Sequence, residues 1–115
     1  MTGNPELDSL LPLTATMFHV LVALATEPRH GYAIAREVEE ITQGRIVMGP
    51  GTLYGSLQRM SESGLIEEAA NPGEDGRHAD RRRYYRSTTL GRSALRAESE
   101  RLTRSLAVVR ERLSG

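Results

Sequence analysis

Side chains suited to nucleic-acid binding gather in one short amphipathic segment between Gly49 and Gly64. Small, hydroxyl-bearing, amide and guanidinium residues come together there: Gly51, Thr52, Tyr54, Gly55, Gln58 and Arg59. Hydroxyls and a helix N-terminus attract phosphate, whereas Gln can pair with adenine and Arg with guanine. The segment therefore has the chemistry of a helix that enters a DNA groove.

A second group of basic side chains follows after a run of turn residues. It consists of Arg77, His78, Arg81, Arg82 and Arg83, interrupted only by Ala79 and Asp80. Such a cluster can follow phosphates or place an arginine in the minor groove. The alternative is an ordinary solvated loop. Its position directly after the candidate recognition helix favours DNA contact.

Two of these residues also have a purely structural explanation. Thr52 can cap its helix, a role that is compatible with a DNA contact. Tyr54 either faces DNA or packs under the basic hairpin, and the sequence leaves both open. Because neighbouring residues of a strand face opposite ways, one tyrosine of the pair Tyr84 and Tyr85 is expected in the core.

The elements that position these residues follow from apolar spacing and from helix-start and turn residues. Helices are predicted over residues 14–26, 30–42 and 50–64, and from residue 89 almost to the end. A minimal strand is predicted at 46–48, and two longer strands at 65–69 and 83–88. This order predicts a mainly α fold with a small β-hairpin, as in a winged helix-turn-helix. The expected organisation is a flexible lead (1–12), a DNA-binding domain (13–88) and a dimerisation helix (89–115).

The last helix carries a regular apolar seam. Its members recur at heptad spacing: Leu95, Leu102, Leu106, Val109 and Leu113, with Ser99 as the one polar gap. A single long helix after a small domain has little of its own chain to pack against. A second copy of the protein is therefore the expected partner of this seam.

Charge is segregated along the chain, although the formal net charge is zero. Residues 1–76 hold four arginines and eleven acidic residues, whereas residues 77–115 hold eleven arginines and four acidic residues. The two parts therefore carry −7 and +7. This asymmetry indicates a polyanionic partner for the second part.

Several other classes of protein and site are disfavoured. The chain has no cysteine, which excludes disulfides and thiolate metal sites. Its three histidines lack ligand spacing, and no nucleophile has a recognisable base partner. No metal, cofactor or enzymatic activity is therefore expected. No apolar run approaches a membrane span, and the start lacks a secretion pattern, so a cytoplasmic protein is expected.

Several motifs together resemble the PadR family of bacterial transcriptional regulators. They occur in the order and spacing of that family: His30 to Ile34, Gly49 to Tyr54, Leu57 to Met60, Gly64 to Ile66, Arg82 to Tyr85 and Leu90 to Arg92. The resemblance extends from Leu13 to Leu113. The combination is specific, whereas any one motif alone is weak.

The resemblance implies a homodimeric repressor of a nearby operon, released by a small molecule or another signal. It also implies the short form of the family, with one C-terminal helix. Some short-form relatives bind drugs between aromatic residues, notably tryptophan, but this chain has no Trp and only one Phe, Phe18. For Tyr32 the resemblance implies a contact with the DNA backbone, and the alternative is a partly buried packing role.

Two other hypotheses belong to different functional classes. The fold could serve as a protein-interaction module that no longer binds DNA, which the zero net charge and the acidic first part favour. A small enzyme would require a catalytic constellation that the sequence does not contain. The leading hypothesis is a dimeric regulator that binds double-stranded operator DNA.

Overall fold

The computed structural model describes residues 4–71 and 82–115. Along the chain it contains α1 (Pro5–Leu10), α2 (Ala15–Ala23), β1 (Arg29–His30), α3 (Gly31–Ile41), α4 (Pro50–Glu62), β2 (Ile66–Ala69), β3 (Tyr84–Ser87) and α5 (Thr89–Leu113). This is a winged helix-turn-helix followed by a long helix. The predicted fold class is confirmed.

Helix ends in this chain are set by local chemistry that the sequence shows. Thr14 caps α2 by accepting a hydrogen bond from the Met17 N–H at 3.1 Å. Thr88 caps α5 in the same way, with the Gly91 N–H at 3.0 Å. Gly44 and Gly64 follow α3 and α4 with φ values of 79° and 81°. A side chain is strained in that conformation, so glycine suits both positions; after α3, Gln43 also has a positive φ, of 53°.

The sheet has three strands in the order β1-β3-β2, with both pairings antiparallel. In the register, His30 lies opposite Tyr84 on one side of β3, and Ala69 lies opposite Tyr84 on the other. The sequence predicted the hairpin strands but missed β1. That two-residue strand exists only because β3 supplies its hydrogen bonds.

The core lies where α2, α3, α4 and the start of α5 meet over the sheet. Its fully buried side chains include Leu21, Ile34, Leu57, Met60 and Leu65. Tyr85 is also buried, whereas Tyr84 is half-buried, which confirms that one tyrosine of the pair fills the core. These contacts fix α4 and β3 relative to each other.

Two predicted elements need correction. Residues 46–48 form no strand; Met48 is buried and Ile46 packs on the core, so their apolar character serves packing. The lead at 1–12, predicted to be flexible, contains α1. Asn4 caps α1 by accepting from the backbone N–H groups of Glu6 and Leu7 at 3.1 and 3.2 Å. Leucines of α1 pack on the core, which explains a helix that is too short to be stable alone.

The first turns of helix α5 are buried in the domain, and the rest of the helix is exposed. Its first turns are part of the core, since Gly91, Ala94 and Glu98 are buried. From Arg101 onward every residue is exposed. The helix therefore begins inside the domain and ends outside it.

The buried carboxylate of Glu98 accepts two hydrogen bonds from Arg101, at 2.6 and 3.1 Å. These bonds lower the pKa of Glu98 below its ordinary value, against the opposing effect of burial; the Leu13 backbone amide acts in the same direction as Arg101. The charge of Glu98 is therefore stabilised inside the fold.

Candidate nucleic-acid interface

The outer face of α4 presents the residues that the sequence singled out. Gly49 occupies the N-cap position and makes no side-chain cap bond, and Pro50 is the first helical residue. Thr52 is exposed and does not cap the helix, so the capping alternative is wrong. On the opposite face, Leu53 and Leu57 are buried and hold the helix against the core.

Gly51 and Gly55 place no side chain on the outer face of α4. Among the residues that the structure describes, a Cβ at position 51 would have nothing within 4 Å, and one at position 55 would meet only the end of the Arg59 side chain at 3.5 Å. Packing against the described residues therefore requires neither glycine. Both leave room for another molecule to approach the helix backbone closely.

The Tyr54 side chain is both exposed and packed against a neighbouring helix. Its side chain is 53% exposed, yet its ring and hydroxyl lie against Gly31 at the start of α3. It also borders two clefts together with Arg83 and Tyr85 of the sheet. Tyr54 therefore joins α4, α3 and β3 at one point and keeps an open side.

The amide and guanidinium groups one turn further along α4 hold weak partners within the helix. The Gln58 Nε2 donates to Glu62 at 3.3 Å, and the Arg59 Nη2 donates to Ser56 at 3.5 Å. Both side chains are exposed. The exposed contact between Gln58 and Glu62 contributes about 0.2–0.5 kcal/mol, so a nucleic acid can displace it at little cost.

The described part of the basic cluster lies beside α4. Arg82 and Arg83 are exposed immediately before β3, and Arg83 lies 4.0 Å from the Glu68 carboxylate of β2. Arg86 pairs with Glu67 at 2.8 Å on the same two strands. The predicted contacts Arg77, His78 and Arg81 lie outside the described residues.

Tyr32 lies on the same side of the molecule, in the first turn of α3. Its side chain is 63% exposed, which argues against the packing alternative. A cleft of about 410 Å³ is bordered by Tyr32, Tyr54, Arg82 and Arg83. The fold thus brings together three segments that are distant in sequence, and these two tyrosines and two arginines line one open cleft.

The sequence missed one residue at this site, His30. Its Nδ1 accepts from the Ala33 N–H at 3.1 Å and so caps α3. Its ring also meets Tyr84 edge-on, with centroids 5.4 Å apart, and its Nε2 lies 3.1 Å from Arg82. Positions 30 and 82 are far apart in the sequence and become neighbours only in the folded chain, so the sequence alone does not show this contact.

The predicted dimerisation residues form an apolar stripe along α5. Leu95 is half-buried, and the other four, Leu102, Leu106, Val109 and Leu113, are 40–81% exposed. The exposed part is longer than two helical turns. An apolar stripe of this length on one chain is typical of a partner surface.

Within residues 4–71 and 82–115, no group of three or more His, Cys, Asp or Glu side chains could hold a metal ion. Across the same residues, no helix is both long and apolar enough to cross a membrane.

Comparison with known proteins gives a consistent result. A family model described as the transcriptional regulator PadR-like family matches residues 20–97. The transcriptional regulator Rv3488 of Mycobacterium tuberculosis is 37% identical over 101 residues, which cover 88% of this chain and 85% of that protein. A PadR family transcription regulator from hypervirulent Clostridium difficile is similar in structure, with a TM-score of 0.69 and 26% identity; the match covers 89% of this chain and 100% of the other.

One relative is much longer than this chain. An uncharacterized 37.1 kDa protein in transposon TN4556 of Streptomyces fradiae is 36% identical over 85 residues, or 74% of this chain. The match spans only 22% of that relative.

Proposed function

We propose that this chain, which belongs to the PadR-like family of transcriptional regulators, is a homodimeric repressor that binds specific operator DNA and responds to a small molecule or another signal. The family, the regulator of Mycobacterium tuberculosis and the regulator of Clostridium difficile are regulators of transcription, not enzymes. These similarities support the assignment of a DNA-binding regulator. The repressor role, the dimer and the signal are our proposals.

The observation that carries the proposal is the open space beside α4, which Tyr54 of α4 borders together with Arg82 and Arg83, the two residues before β3. Thr52 and Gln58 are exposed on the same helix. An α-helix about 10–12 Å across fits the major groove, which is about 12 Å wide. With α4 in the groove, arginines to one side of it are suited to the phosphate backbone.

The roles of individual residues follow from their chemistry. Gln58 would read base edges, since its amide can pair with adenine, and Arg59 would contact guanine or backbone. Thr52, Tyr32 and Tyr54 would donate hydroxyls to phosphates, and Gly51 and Gly55 would admit the DNA backbone or base edges. Arg77, His78, Arg81, Arg82 and Arg83 would supply most of the electrostatic attraction.

The dimer follows from the apolar stripe of α5. Two copies joined along Leu102, Leu106 and Val109 would present two α4 helices to one DNA duplex. The expected half-sites are then about 34–36 Å apart, one helical turn of DNA. An effector that changed the angle between the two copies would change this spacing.

The test is a binding titration with DNA from upstream of the protein's own operon, at several salt concentrations. Wild-type affinity should fall steeply with salt, because phosphate contacts release counterions. Arg83→Ala should weaken binding to all sequences and reduce the salt slope by about 1. Gln58→Ala should change sequence preference and leave the slope intact. Arg104→Ala, which removes an exposed arginine from the distal part of α5, is the matched control.

The rival function is a protein-interaction module. The exposed carboxylates of Glu67 and Glu68 on β2 pair with Arg86 and Arg83, and this pairing favours the alternative. Absence of any complex at low salt, with a folded dimer, would support it. Salt-insensitive binding in the wild type would also contradict the proposed phosphate contacts.

A further inference from the structure

A second cleft lies between α3 and the start of α4, next to the proposed DNA-binding face. The residues that border this α3–α4 cleft include Tyr32, Arg36, Glu39, Met48, Leu53 and Tyr54. Met48 and Leu53 are 8% and 3% exposed, so the base of the cleft is apolar. Its volume is about 260 Å³. Ligand pockets begin at about 300 Å³, so a cleft of this size suits a ligand with about one ring.

Two exposed aromatic side chains border the cleft, one from each helix. Tyr32 lies in the first turn of α3 and is 63% exposed, and Tyr54 lies on α4 and is 53% exposed. The face of a tyrosine ring carries partial negative charge and attracts cations. The cleft therefore offers an apolar base together with rings that favour a positively charged group.

The charges of α3 leave one carboxylate available at this cleft. The helix carries one arginine and three glutamates, so its net charge is −2. Glu37 lies 3.9 Å from Arg29. Glu40 lies one helical turn from Arg36 and offsets its charge. The third glutamate, Glu39, is exposed, and its carboxylate forms no hydrogen bond or ion pair with any residue in 4–71 and 82–115.

We propose that the α3–α4 cleft binds a small organic cation, such as an ammonium group attached to a single ring, and that the bound cation releases DNA. The apolar part of the ligand covers Met48 and Leu53, and its charge faces Glu39 and the two tyrosines. The inference rests on the proposed DNA-binding function and gives the chemical class and the place of its signal.

The release of DNA follows from the tyrosines that the ligand would cover. Tyr32 and Tyr54 border this cleft and also the 410 Å³ cleft beside the arginines that precede β3. Their hydroxyls are the proposed phosphate contacts, and losing one hydrogen bond to a charged group weakens binding by at least about tenfold. An exposed ammonium group near a phosphate would strengthen binding by about fivefold or less. The loss is therefore the larger effect.

Protein NMR with benzyltrimethylammonium as the probe tests the cleft without DNA. The methyl signal of Met48 and the ring signals of Tyr32 and Tyr54 should shift saturably, with a Kd on the order of millimolar for a ligand of this size. Neutral benzyl alcohol and anionic benzoate should bind at least about fivefold more weakly. An unchanged Met48 signal would overturn the site, and equal affinity for the three compounds would overturn the assigned charge.

Glu39→Gln tests the carboxylate and keeps the size of the side chain. It should weaken binding of benzyltrimethylammonium by about three- to fivefold and leave binding of benzyl alcohol unchanged. Glu100→Gln is the matched control, because it changes the net charge equally at an exposed position on α5. It should bind the cation as the wild type does. Wild-type affinity for the cation in Glu39→Gln would overturn the role of the carboxylate.

A DNA titration at constant ionic strength, with benzyltrimethylammonium replacing sodium, tests the release. The apparent Kd for DNA should rise with probe concentration, and the rise should be smaller in Glu39→Gln than in the wild type. Unchanged or tighter DNA binding, with the cation bound, would overturn the release. A wild type that binds no DNA would overturn the proposed function and the release together, and the NMR titration would still decide whether the cleft binds the cation.

Discussion

The phenol ring of Tyr54 lies against the backbone of Gly31. A Cβ at position 31 would come within 3.2 Å of Tyr54 Cε1 and 3.3 Å of its hydroxyl oxygen. The candidate recognition helix and the start of α3 thus meet through an aromatic ring and a residue without a side chain. The orientation of Tyr54 depends on that missing side chain.

Gly31→Ala should therefore move Tyr54 and weaken DNA binding. The added methyl group would also meet Leu57 Cδ1 at 3.4 Å, which is tight but can be relieved by a shift of Tyr54. We expect several-fold weaker binding and a change in the free energy of unfolding below about 1 kcal/mol. Binding titrations and thermal unfolding measure the two quantities. Unchanged affinity would show that the position of Tyr54 does not matter for DNA.

Gly91→Ala should destabilise the fold severely. A Cβ at position 91 would overlap the carbonyl oxygen of Leu65, a backbone atom held by its hydrogen bond from the Thr88 N–H at 3.1 Å. Because backbone cannot rotate aside as a side chain can, we expect a loss of about 3 kcal/mol or more. Denaturant unfolding gives the value.

Gly51→Ala is the matched control for this prediction, since a Cβ there meets no atom of residues 4–71 and 82–115 within 4 Å. Because alanine is favoured over glycine within helices, the stability of Gly51→Ala should equal that of the wild type or be slightly higher. Equal stability of both alanine variants would contradict the close approach of α5 to Leu65.

The double change of Leu102 and Leu106 to Glu should produce monomers. These residues are 40% and 47% exposed in the single chain, and a carboxylate at either would be buried in the proposed dimer. Burying unpaired charge costs several kcal/mol, so association should be lost. Light scattering measures the mass.

Val108→Glu is the control for the dimer experiment. Val108 is 45% exposed on the same helix but lies on a different face from the apolar stripe. It should remain dimeric. A dimer in the double variant, or a monomer in the control, would contradict the assigned stripe.

Ionisation of Glu98 should make the stability of the fold depend on pH in the acidic range. Because its pKa is lowered below 4.5 in the folded chain, its contribution to stability is complete above that value and is lost as the pH falls through the folded pKa. Glu98→Gln should therefore be less stable than wild type near neutral pH, and the difference should shrink below about pH 4. Thermal unfolding across pH provides the measurement.

Glu100→Gln removes an exposed carboxylate two residues away and serves as the control for Glu98. It should track the wild type at every pH. A constant difference between wild type and Glu98→Gln across the pH range would contradict the role given to the Glu98 charge.

The sequence predicted the elements whose signals are local. The apolar stripes of α3 and α4 and the glycines at 44 and 64 predicted those helices to within a few residues, and the start of α5 was predicted near residue 89. Helix α1 was missed, since six residues depend on packing rather than on their own periodicity. Strand β1 was missed because its partners, Tyr84 and Tyr85, are more than fifty positions away.

The candidate site shows the same limit. Exposure of Thr52, Gln58 and Arg83 agrees with the chemistry predicted from their types. The cap bond of His30 and its approach to Arg82 could not be predicted, because histidine is an uncommon helix cap and the approach requires the sheet register. The position of Tyr54 required the packing of α4 on α3.

The burial of Gly91, Ala94 and Glu98 has a practical consequence for protein engineering. A fragment that ends at Thr88 would lack the buried first turns of α5 and should not fold as an autonomous unit. Transplanting the winged part onto another oligomerising helix would need a junction beyond Glu98, after the last buried residue of α5. Chimeras joined there should exchange partners while keeping their DNA preference.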